Sequence, residues 1–128
     1  MSYPNTLKYT KDHEWAKIEG KIATIGITDH AQSALGDVVF VELPAAGRTL
    51  KHGETFGVVE SIKAVSDLYA PLDGKVLEAN AAVSADPSLI NRNAHDEAWL
   101  IKLEMADGTS TAELMDAEAY TKYVQSLK

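Results

Sequence analysis

The chain contains no cysteine, which excludes a disulfide framework, a thiolate metal centre and a thiol nucleophile; any sulfur redox chemistry must arrive on an added group. No apolar run approaches the roughly 20 residues of a membrane span. The N-terminus reaches Tyr9, His13 and Trp15 without a basic n-region and apolar h-region, so it does not read as a signal peptide. Basic residues are few: 12 Lys and Arg stand against 19 Asp and Glu, a net charge of −7, with no Lys/Arg cluster to follow a phosphate backbone. This argues against nucleic acid and anionic membrane surfaces and for protein partners with positive patches. The four histidines, His13, His30, His52 and His95, are scattered without metal-ligand spacing. Nucleophile elbows, dinucleotide turns and phosphate loops are missing, the glycines falling at turns instead. Carboxylate pairs abound in so acidic a chain, and nothing selects one for acid/base work. An enzyme with its own catalytic machinery is therefore not expected.

What the chain does have is the material for one small β-rich domain over residues 1–128, since 45% hydrophobic content is enough for a core at this length. Runs rich in β-branched and aromatic residues predict strands at Leu7–Tyr9, Glu14–Ile18, Ile22–Ile27, Val38–Leu43, Thr55–Val59, Val65–Tyr69, Lys75–Ala79 and Trp99–Leu103. Glu19-Gly20 and Asp73-Gly74 read as hairpin turns. Thr28 begins a short helix with Ala31, Ala34 and Leu35 on one side and Gly36 as its stop. Near the end, Ser110 and Glu113 have capping-box spacing, and Asp116 caps a helix whose apolar stripe is Tyr120, Tyr123, Val124 and Leu127. Trp15 and Trp99, both in strand-like runs, are expected in the core.

One lysine stands apart. Thr55–Val59 and Val65–Tyr69 should fold back on each other, leaving Lys63 at the reversal, yet Ser61-Ile62-Lys63 offers no residue tolerant of positive φ. A long amine at the apex of a rigid hairpin suits an enzyme that grasps the tip and acylates it. An ordinary solvated turn lysine fits the same residues.

The run Gly57-Val58-Val59-Glu60-Ser61-Ile62-Lys63-Ala64-Val65-Ser66-Asp67-Leu68-Tyr69-Ala70-Pro71-Leu72-Asp73-Gly74-Lys75-Val76 closely resembles the lipoylation segment of the glycine cleavage system H-protein family. His13-Glu14-Trp15, Gly26-Ile27-Thr28-Asp29-His30-Ala31-Gln32, Leu35-Gly36-Asp37-Val38-Val39-Phe40-Val41, Pro87-Ser88-Leu89-Ile90-Asn91 and Trp99-Leu100-Ile101-Lys102 extend the resemblance over nearly the whole chain. One stretch departs from it: Ala94-His95-Asp96-Glu97-Ala98 replaces the family's Pro-Tyr-Gly-like turn and the glycine before the tryptophan, which leaves that loop's shape open.

The resemblance implies a mainly β barrel-sandwich hybrid: two antiparallel sheets, short peripheral helices and a C-terminal helix. It also implies a monomeric, non-catalytic carrier with lipoate covalently attached to Lys63. Such a carrier shuttles an aminomethyl unit between glycine decarboxylase, aminomethyltransferase and dihydrolipoamide dehydrogenase. Lipoate-attaching enzymes would recognise the tip through Glu60, Ser61, Ile62 and Ala64, with Glu60 the main charged contact. A labile, ammonium-bearing cargo benefits from a partly dry cleft with a carboxylate, and Glu14 and Asp67 are the candidates. A lipoate relay would need the same lysine. Biotinyl carriers, with methionines flanking the lysine, and the Asp-Lys-Ala lipoyl domains of other complexes fit less well, because the flanks here are Ile62 and Ala64. The expected location is the bacterial cytoplasm, or the mitochondrial matrix for a mature chain with an added Met1.

Overall fold

The computed structural model describes residues 3–127; Met1, Ser2 and Lys128 lie outside the described residues. Its strands form two antiparallel sheets, in agreement with the expected architecture. The larger sheet runs β1 (Lys8–Tyr9), β2 (Glu14–Glu19), β3 (Ile22–Ile27), β9 (Ile101–Met105), β8 (Gly74–Ala79) and β5 (Thr49–Leu50). The smaller consists of β4 (Val38–Glu42), β6 (Thr55–Ser61) and β7 (Val65–Tyr69). Alternation of side chains sends Ala23, Ile25, Val41, Val59, Leu68, Val76, Ile101 and Leu103 into one apolar core. Leu7, Tyr9, Trp15 and Tyr120 make a second cluster that fixes the C-terminal helix α4 (Ala117–Ser126) to the larger sheet.

Helix caps fall where side-chain chemistry puts them. Thr28 Oγ1 accepts from the Ala31 N–H to open α1 (Asp29–Leu35), and Asp116 accepts from Ala119 to open α4. Gly36 ends α1 at φ 84° and ψ −157°, a conformation essentially reserved for glycine.

Several expectations need correction. Asp73-Gly74 closes no hairpin: β7 and β8 belong to different sheets, and the buried Ala70-Pro71-Leu72 carries the chain between them. Ser110 starts no helix; its hydroxyl accepts from Ala112 in a local turn before Met115 bridges to Tyr9. Leu127 leaves the α4 stripe, being 49% exposed at the helix end, and Trp99 is half-buried beneath the Lys102 ammonium instead of in the core. Two five-residue helices, α2 (Ala81–Ala85) and α3 (Leu89–Asn93), have too few turns to show a period.

Gly26 illustrates the packing tolerance. It faces Trp15 across β2 and β3, and a Cβ built on it would sit 2.6 Å from the indole ring. Gly26→Ala should therefore lower unfolding free energy by about 1–3 kcal/mol in urea titration and shift Trp15 emission. Gly20→Asn, at a two-residue turn with φ 62° and open space, should be close to neutral because asparagine tolerates positive φ.

Candidate functional site

The hairpin joining β6 to β7 is shaped by Ser61. Its side chain is buried, and its hydroxyl oxygen accepts from the N–H groups of Lys63 (3.3 Å) and Ala64 (3.1 Å). The Ser61 N–H donates to the Ala64 carbonyl at 2.8 Å, so residues 61–64 close into a small side-chain-braced loop. No residue of this loop has positive φ. The turn chemistry missing from the sequence reading thus resides in the serine. A second tie, from the Ile62 N–H to the Asp37 carbonyl at 3.1 Å, fastens the tip to the segment between α1 and β4.

Lys63 is exposed at this apex, its aliphatic chain lying over Gly36: a Cβ built on Gly36 would be 3.4 Å from Lys63 Cε. Around the lysine the surface is unusually apolar. Ile62 is 72% exposed, Val65 66%, Val39 55% and Phe40 49%, which accounts for most of the exposed large hydrophobic side chains among the described residues. A bulge between Val38 and Phe40 turns two successive β4 side chains outward, where regular alternation would bury one. Across the outer face, Phe40, Glu60 and Val65 form one cross-strand row and Glu42, Val58 and Asp67 the next. Glu60 is therefore flanked by apolar neighbours, half-buried and in reach of whatever covers the tip.

Beside the hairpin runs a cleft of about 200 Å³, lined by Ile27, Val59, Leu68, Ala31 and Leu35 together with Asp12, His13 and Glu14. Glu14 is 2% exposed, and its Oε2 accepts from the Tyr69 N–H at 2.8 Å, tying the larger sheet to the edge of the smaller. Burial pushes its pKa from 4.5 up to about 8, against the lowering effect of the Tyr69 hydrogen bond. Burial thus favours the neutral form of this carboxyl group. Asp67 also borders the cleft, but it pairs with Val58 on the exposed side of β7 and its side chain is exposed where Glu14 is buried.

His13, at φ 65°, places Nδ1 2.8 Å from the Tyr120 hydroxyl, which in turn lies 2.8 Å from Thr28 Oγ1. Burial, with the nearby His30, lowers the His13 pKa. The divergent loop is also anchored: His95 Nε2 accepts from the Asp29 N–H at 3.0 Å, and the Ala94 carbonyl accepts from Trp15 Nε1 at 2.9 Å. A larger depression of about 500 Å³, lined by Lys21, Lys51, Lys75, Asp73, Glu104 and Asp107 among others, lies at the opposite end of the sandwich, away from Lys63. No helix among the described residues is long and apolar enough to cross a membrane, and no group of three or more metal-ligating side chains is present among them.

The family described as Glycine cleavage H-protein matches residues 7–127. The glycine cleavage system H protein of Bacteroides thetaiotaomicron is 51% identical over 124 residues, covering 97% of this chain and 98% of its own length. That of Staphylococcus saprophyticus is 49% identical with the same coverage. A crystal structure of the glycine cleavage system H protein from Mycobacterium marinum superimposes with a TM-score of 0.89 at 39% identity, covering 96% of this chain and 99% of that one.

The raised Glu14 pKa carries a stability signature. The native protein retains a proton that the unfolded chain releases between pH 4.5 and about 8, so stability from this group declines as pH rises through that window and levels off above it. Urea unfolding of wild type and Glu14→Gln from pH 4 to 9 should show an extra downward slope in wild type, at most about 1.4 kcal/mol per pH unit. Parallel profiles would show that Glu14 is not protonated in this range.

Proposed function

The chain belongs to the glycine cleavage H-protein family, and from that premise we propose that it is the lipoyl carrier of a glycine cleavage system, acylated at Lys63. Membership makes it a non-catalytic component of that system. The observation carrying the site assignment is the exposed Lys63 amine on a loop held at both Ser61 and Asp37, beside a mostly apolar cleft. The surroundings fit a lipoyl amide: Gly36 leaves room under the lysine stem, and the apolar wall of Ala31, Leu35, Val59 and Ile27 suits a hydrocarbon arm. Bound lipoate supplies the two sulfurs that this cysteine-free chain lacks, and with them the redox-linked pick-up and release of an aminomethyl unit.

The protein's own residues then have three tasks. Ser61 and Asp37 hold the tip so that an attaching enzyme meets the amine in one geometry; Glu60, Ile62 and Ala64 are the side chains it would read, with Ser61 acting through the shape of the loop. The apolar wall receives the arm and keeps water from the cargo. Glu14, whose burial favours the neutral form, would release its proton to solvent as the cargo's ammonium arrives, because an adjacent positive charge favours the carboxylate. Its burial in the cleft lining supports it over Asp67, whose side chain is exposed to solvent. That face, apolar with Glu42, Glu60 and Asp67 as its charges, suits partners with apolar pockets and basic rims. Glycine decarboxylase, aminomethyltransferase, dihydrolipoamide dehydrogenase and lipoate-attaching enzymes are the proposed partners of a monomeric, single-domain carrier over residues 1–128. The bacterial sources of its relatives support a cytoplasmic setting.

Acylation removes one positive charge and takes the formal net charge from −7 to −8, so the lipoylated form should focus at lower pH. Lys63→Arg should fold normally but lose both the shift and activity in a reconstituted glycine cleavage assay, since guanidinium stays protonated and does not acylate. Lipoate uptake by that variant would move the site elsewhere. Glu60→Lys should slow lipoylation while changing stability by no more than about 0.5 kcal/mol, and an equal rate would remove Glu60 from recognition.

A further inference from the structure

The Pro87–Asn91 motif receives no task in the account above, yet Asn91 makes three hydrogen bonds to the segment on which the lysine rests. Its Oδ1 accepts from the Val38 N–H at 2.8 Å, and its Nδ2 donates to the Gly36 carbonyl at 2.9 Å and to Gln32 Oε1 at 3.0 Å. One side-chain amide thereby bridges the carbonyl of residue 36 and the N–H of residue 38, as a neighbouring strand would. It spans a backbone that only glycine readily adopts, with Gly36 at φ 84° and ψ −157°. Between those two anchors lies Asp37, whose carbonyl accepts from the Ile62 N–H. Gly36 underlies the Lys63 stem, and Val38 pairs with Ser61. Residues 36–38, held by Asn91 at their two ends, thus meet three successive residues of the hairpin.

We infer that Asn91 is a positioning residue for Lys63, fixing the 36–38 seat that holds the hairpin tip in the geometry an attaching enzyme binds. This rests on the lipoyl-carrier reading for its purpose, though not for its physics. Without the amide, Gly36 and Val38 lose their fixed partners, the Asp37 carbonyl is no longer aimed at Ile62, and the tip samples several arrangements. An enzyme that binds one of them sees a carrier of lower apparent affinity, while the chemistry on the bound lysine is unchanged.

Two variants separate this from a merely structural role. Asn91→Ala removes all three bonds. Asn91→Asp keeps the shape and an acceptor for Val38 but sets a carboxylate oxygen against the Gly36 carbonyl. In both, amide hydrogen exchange of the unmodified protein should quicken at Ile62 by about tenfold, the scale of one net hydrogen bond, with Ala23 and Ile25 in the core unchanged. With a lipoate ligase and lipoate, KM for the carrier should rise roughly threefold or more with kcat unchanged. Exchange at Ile62 and KM both matching wild type in Asn91→Asp would overturn the inference, as would a uniform rise in exchange across the core with no local excess. Wild-type protein that takes no lipoate would overturn the carrier reading and with it the purpose assigned to Asn91. Wild-type acylation with unmoved KM in both variants overturns the positioning role alone.

Discussion

The hydrogen bonds gathered by the Ser61 side chain are the constraint on which the rest of the site depends. Two backbone N–H groups converge on one hydroxyl, and the same residue closes the loop through its own N–H, so the apex of an exposed hairpin acquires a defined shape without glycine or asparagine. Because the loop is braced from inside, its outward side chains are free for display. Ile62, Lys63 and Val65 all project to solvent, a combination that a turn held by apolar contacts would not allow. The tie to Asp37 then couples the apex to α1, and α1 forms the other wall of the cleft.

Glu14, in the lining of the same cleft, links the two sheets directly through the Tyr69 N–H. An acid buried to 2% exposure is costly if charged, and its hydrogen bonds come from neutral donors, the Tyr69 N–H and the Thr10 hydroxyl, so burial prevails and raises its pKa to about 8. The site therefore combines an exposed amine with a buried acid. Four residue steps along β7 take the chain from Val65 near the apex to Tyr69 at Glu14, about 13 Å at ordinary strand rise.

The strands were legible because a two-sheet core writes a period of two into each of them, and the caps because Thr28 and Asp116 satisfy their helices locally. Legibility ended where partners are distant in sequence. Nothing about Glu14 signals that its carboxyl meets the Tyr69 N–H, 55 positions on, or that it is buried there. Asn91 reaches back 53 positions to Val38. Asp73-Gly74 has hairpin chemistry, but the chain before it changes sheets, a tertiary decision that dipeptide preference does not encode. Ser61 was readable in principle: a serine two and three residues before otherwise unsupported N–H groups is a recognised turn former. Lys63 itself was found through its family resemblance, since exposed lysines are the norm and physics alone favours a solvated turn lysine.

In the proposed role, this fold serves to present one acylatable amine, that of Lys63. The most direct test is the intact mass of the protein produced with a lipoate ligase and lipoate, followed by fragmentation to locate the adduct. The account predicts a single lipoyl group, on the peptide containing Lys63 and on no other lysine. A biotinyl group, an adduct at another lysine or an unmodified chain under these conditions would contradict it.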